Sequence, residues 1–107
     1  MKRTQYITEY SMYNNIRMGN IYEVEKSFAE LINYDICSGT ISTLRDKKNY
    51  AITILERTTS IARSKGIDVS IRNNLLQEIE KAISAFEVLE ILHFLIIYFS
   101  LKIKALN

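Results

Sequence analysis

The sequence predicts an all-α fold of five helices in a single compact domain, residues 1–107, and three observations predict it. The 107 residues include no proline and three glycines, so the usual helix breakers are nearly absent. Residues 44–66, LRDKKNYAITILERTTSIARSKG, repeat apolar side chains at helical spacing without interruption. Capping signatures stand ahead of three segments: Asn20 with Glu23, Ser42 or Thr43, and Ser84 with Glu87.

Taken in order, residues 4–18 read as a first helix with Tyr6, Tyr10, Tyr13 and Ile16 supplying apolar contacts. The tyrosines could stack on a base or ligand, but half-buried rings with wet hydroxyls are the plainer reading. Gly19 ends this helix, and a tight turn at Met18-Gly19-Asn20 folds the next one back as a hairpin. The second helix, residues 21–34, puts Val24, Phe28, Leu31 and Ile32 on one face and Glu23, Glu25, Lys26 and Glu30 toward water. DICSGTIST, residues 35–43, reads as a loop.

The third helix is the long central one around which the chain is expected to organise. At about 100° per residue, Leu44, Ala51, Leu55, Thr58 and Ala62 fall on one line, and Tyr50, Ile54 and Ile61 on a second beside it. Arg45, Asn49, Glu56, Ser60 and Arg63 take the other side. Gly66 suits a left-handed C-terminal cap, with Ile67 folding back on the last turn. A fourth helix over residues 71–82 presents Leu75, Leu76, Ile79 and Ala82, and the fifth, residues 85–104, is the most apolar.

Composition excludes several functions. A formal net charge of +2 is too small for phosphate-backbone binding to be the main task. One cysteine, Cys37, rules out an internal disulfide and a multi-cysteine metal site. The basic start, MKRTQYITEY, is not followed by the apolar run of a signal peptide, so a cytoplasmic location is expected. The fifth helix is interrupted by Glu90 and His93 and falls short of the ~20 apolar residues of a membrane span. Its polar residues Glu90, His93, Ser100 and Lys104 share a narrow stripe with Ile97, the wet edge of a helix buried on the other sides.

No catalytic constellation emerges, no cofactor is expected, and the chain reads as a non-enzyme. Cys37 has no histidine near it in sequence, and Ser38-Gly39-Thr40 lacks the glycines and lysine of a phosphate loop. Glu78 and Glu80 point about 200° apart on a helix, so they face water or pair with neighbours such as Lys81 rather than share a site. His93 with Glu90 offers too few ligands for a metal.

What stands out is a surplus. Val88, Leu92, Leu95 and Phe99 can face the core, which leaves Phe94, Tyr98 and Leu101 on another side. Leftover large apolar surface marks a contact with another polypeptide. The expected partner is a second copy or another protein domain, and Phe94, Tyr98 and Leu101 are the candidate interaction surface.

The order and spacing of several segments resemble AraC-type transcription regulators of Gram-positive bacteria, over residues 6–103. The likeness is to the helical region between the sensing portion and the helix-turn-helix pair. There the pattern is arginine, two residues, lysine-asparagine, a long apolar helix and a glycine, matched here by Arg45, Lys48, Asn49 and Gly66. IRMGNIYEVEKSFAELI resembles the family's helical hairpin, with Asn20 in place of its aspartate, and LLQEIEKAISAFEVLEIL resembles its later helices. Ser60 stands where the family has an arginine, flanked by Arg57 and Arg63, and the stretch between Gly66 and Glu80 is about one helical turn shorter.

The resemblance implies a non-catalytic dimerisation or signal-relay module that does not bind DNA by itself, since no helix-turn-helix pair falls within residues 1–107. A stand-alone adaptor or inhibitor acting through the fifth helix is the alternative. Arg45, Lys48 and Asn49 then have two readings. Lys48 lies at the edge of the Leu44–Leu55 line, where a charged head needs an acidic or carbonyl partner. The three residues make either a structural polar lock between helices or a ligand or partner contact.

Overall fold

The computed structural model describes residues 3–38 and 43–106, with side chains over 7–33 and 43–106. The elements are α1 (Arg3–Met18), α2 (Ile21–Ser38), α3 (Leu44–Ser64), α4 (Arg72–Lys81) and α5 (Ala85–Lys104), with no strand among the described residues. Local chemistry sets most of the ends. The Thr43 hydroxyl accepts from the Asp46 amide at 3.0 Å, and the Ser84 hydroxyl from the Glu87 amide at 3.2 Å. Each satisfies one of the amides that a helix start leaves without a backbone acceptor. Asn20 Oδ1 caps α2 in the same way through the Glu23 amide, at 3.4 Å.

Both helix-ending glycines are left-handed, Gly19 at φ 68° and Gly66 at φ 80°. After Gly66 the Ile67 amide donates back to the Ala62 carbonyl at 3.0 Å, and after Gly19 the Asn20 amide donates to Asn15 at 3.0 Å. With the Gly66 amide donating to Arg63 and the Gly19 amide to Ile16, both at 3.0 Å, each end closes as a Schellman pair.

Two boundaries differ from the sequence reading. α2 runs on through Ser38, so residues 35–38 of the expected loop are helical. Nothing between Tyr34 and Ser38 breaks a helix, and the next glycine is Gly39, which with residues 40–42, Ser42 among them, lies outside the described residues. α4 starts at Arg72, because Asp68 Oδ1 accepts from the Ser70 amide at 2.9 Å and holds a turn just ahead of it.

The organising helix is α5 rather than α3. α5 packs against all four other helices, whereas α3 meets α1, α4 and α5. Val88, Leu92, Leu95, Ile96, Phe99 and Ile103 of α5 are buried and meet Met12 and Ile16 of α1, Val24, Phe28 and Leu31 of α2, and Ile54 and Leu55 of α3 in one core. Each such side chain contributes about 1.5–3 kcal/mol of transfer free energy, so the helix carrying the longest apolar arc gathers the others. The Cα radius of gyration, 13.2 Å, is that of a single domain of this length.

Some positions depart from the expected faces. On α1 the buried line is Glu9, Met12 and Ile16, while Tyr10 is 62% exposed. Tyr6 lies outside the residues with described side chains. On α5 Ser100 is fully buried, not part of a wet stripe, and its hydroxyl donates to the Ile96 carbonyl. A hydroxyl satisfied by its own helix can lie on a core line at little cost.

Gly19 and Gly66 differ in surroundings. A Cβ on Gly19 would lie 2.8 Å from both the Cα and N of Lys104, whereas one on Gly66 would meet nothing within 4 Å. Gly66→Ala is therefore expected to cost about 1–2 kcal/mol for the left-handed backbone alone. Gly19→Ala adds a backbone clash, for roughly 2–5 kcal/mol in all. Urea unfolding of the two variants checks the order; equal losses would mean that the turn does not seat tightly on α5.

Candidate functional site

The outer face of α5 is the first candidate. Phe94 and Leu101 are 50% and 51% exposed, and Ile97 and Tyr98 are half-buried. Phe94 stacks on Tyr98 with centroids 5.7 Å apart, and Tyr98 meets the buried Phe99 edge-on at 5.1 Å. The ammonium of Lys102 lies 5.5 Å from the Tyr98 centroid. Tyr98 is thus a bridge between core and surface, while Phe94 and Leu101 are the outward groups. On the other flank His93 Nε2 lies 3.0 Å from both carboxylate oxygens of Glu25, and its ring is tilted against Phe28. That contact fastens α2 to α5 and edges the apolar face with charge.

Arg45 and Lys48 reach the last turn of α4, and Asn49 braces Arg45 from within α3. Arg45 donates to both carboxylate oxygens of Glu80, at 2.6 and 3.5 Å, and through Nε to Asn49 Oδ1 at 3.1 Å. Lys48 Nζ donates to the Glu80 backbone carbonyl at 2.6 Å, an acceptor that the helix end leaves free. Glu80 therefore pairs across to α3, not with its neighbour Lys81. At the other end of α4 Arg72 Nε donates to Glu56 at 2.7 Å, so both ends of α4 are latched to the antiparallel α3. The bonded Arg45 guanidinium holds the Glu80 carboxyl below its ordinary pKa.

A third cluster was not singled out from the sequence. Glu9 is 4% exposed between α1 and α3, and it accepts from Arg57 at 2.6 Å and from the Tyr13 hydroxyl at 3.2 Å. Its second oxygen, Oε2, is buried without a hydrogen-bond donor among the described residues. Burial, and then the nearby Glu9 carboxylate, push the Tyr13 phenol well above its ordinary range. Arg57 also lies over the Tyr13 ring, 5.7 Å from its centroid. Beside this cluster an open groove of about 290 Å³ is lined by Tyr10, Tyr13, Asn14, Arg17, Arg57 and Ser60. One signal was available: Glu9 falls on the line of Met12, Tyr13 and Ile16, an acid on a core face that needs a cation from elsewhere.

Cys37 lies within α2, and its side chain is outside those described. Among the described residues no group of three or more histidine, cysteine, aspartate or glutamate side chains is gathered as a metal would need. No helix among them is long and apolar enough to cross a membrane. No protein-family model, curated protein sequence or solved structure matches the chain.

The α3–α4 latch yields two expectations. Lys48→Met removes the donor to the Glu80 carbonyl and should cost about 1 kcal/mol. For a domain of this size that is a melting temperature lower by roughly 4–8 °C; an unchanged melt would leave Lys48 as a partner contact. Glu80 contributes stability that is complete above its ordinary pKa of 4.5 and is lost as pH falls through the depressed folded-state value. The melting temperature of the parent should therefore exceed that of Glu80→Gln near neutral pH and converge on it in acid.

Proposed function

We propose that this chain is a non-catalytic regulatory module, of the kind that forms the middle helical region of AraC-type transcription regulators. It acts by contact with another polypeptide through the outer face of α5. The observation that carries the reading is the half-exposed pair Phe94 and Leu101 beside the half-buried Ile97 and Tyr98. A contiguous apolar strip on a helix otherwise enclosed by four neighbours favours a protein contact over a solvated surface.

The resemblance supports the same reading from another direction. Arg45, held by Asn49, and Lys48 bond the end of α4, and Gly66 ends α3 in the left-handed conformation. The matching residues thus include groups that hold two helices in register, as a relay between domains requires.

Direct DNA binding by this chain is not part of the reading. Besides the small net charge, Arg45, Arg57 and Arg72 are each engaged by a carboxylate. That leaves them poorly placed to neutralise phosphates.

Expression of the chain in its source organism, followed by transcript sequencing, tests the role. The parent should change a defined set of transcripts, and Phe94→Ser with Leu101→Ser, equally folded by circular dichroism, should not. Absence of any transcript response, or the same response from both, is the result against the reading.

A further inference from the structure

We infer that the outer face of α5 pairs with the same face of a second copy of this chain, with the two helices antiparallel. The inference rests on the regulatory-module reading and names its partner.

Along α5, residues 90, 94, 97, 101 and 104 alternate steps of four and three, the spacing that keeps side chains in line along a two-helix seam. They are Glu90, Phe94, Ile97, Leu101 and Lys104. All are exposed except Ile97, which is half-buried at the centre. The seam is apolar in its middle and carries opposite charges at its ends, each end seven residues from Ile97. Neither Glu90 nor Lys104 has an ion-pair partner among the described residues.

A two-fold axis through Ile97 converts this layout into complementarity. It sets Glu90 of one copy beside Lys104 of the other at both ends, and packs Phe94 and Leu101 of each copy around the axis. A parallel pair would instead stack Glu90 on Glu90 and Lys104 on Lys104. The flanking charges point the same way, with Glu87 near the acidic end and Lys102 near the basic one. Opposed helix dipoles add to the preference.

Light scattering and sedimentation equilibrium on the full chain test the pairing. The parent should be a dimer at tens of micromolar. Glu90→Lys or Lys104→Glu alone turns both end contacts repulsive and should weaken the dimer about tenfold. Both changes together should restore it to near the parent value. Both positions are exposed, and unchanged thermal melts would show that the fold is intact.

Geometry is read by disulfide trapping in a Cys37→Ser background. Glu90→Cys with Lys104→Cys should cross-link two chains on oxidation. Neither change should do so alone, because like positions lie about 21 Å apart in the antiparallel pair. A monomeric parent overturns the inference, as does failed restoration by the double reversal or cross-linking by Glu90→Cys alone. The transcript response reads the regulatory role separately, since it depends on the α5 face making a contact and not on which contact it makes.

Discussion

The fold depends on one demand: α5 must be kept from water, and it has more apolar surface than its four neighbours cover. Its buried arc runs through Val88, Leu92, Leu95, Ile96, Phe99, Ser100 and Ile103, and every other helix touches it. The molecule measures 38 × 30 × 18 Å, so across its thin direction there is room for about two layers of helices. A helix in such a slab is enclosed on three sides. Phe94 and Leu101 are on the fourth, and their exposure follows from the shape of the slab.

Polar groups in this molecule position helices more than they stabilise them. The Arg45–Glu80 and Arg72–Glu56 pairs are largely open to solvent, where such contacts contribute little. Placed at opposite ends of α4, however, they resist sliding of that helix along α3. The Glu9–Arg57 pair is different, because its carboxylate is buried while the guanidinium is half in water. Without the arginine and Tyr13, Glu9 would be an uncompensated charge between α1 and α3, so that cluster specifies which faces of the two helices meet.

Elements whose cause is local were legible in the sequence. Thr43, Ser84, Asn20 and Gly66 act on amides or carbonyls within a few residues, and their roles could be read directly. The apolar lines of α3 were legible for the same reason, as was the excess of α5. What could not be read depends on distant partners. Glu9 is buried because Arg57, 48 residues away, meets it, and Glu80 faces α3 because Arg45, 35 residues earlier, reaches it. Tyr10 looked like a core residue until Met12 and Ile16 filled that face. The apolar surplus of α5 was visible in its own sequence, but that all four other helices pack on it, and only three on α3, is a property of the assembled contacts.

The seat of Gly19 against the Lys104 backbone has a consequence for how the molecule is made. The Gly19 turn closes on a segment 85 positions later, so the hairpin lacks that seat until α5 has emerged from the ribosome. Four amphipathic segments are synthesised before the one they enclose. Until α5 arrives their greasy sides are open to misassociation, so cooperative folding of these five helices cannot begin before α5 has been made.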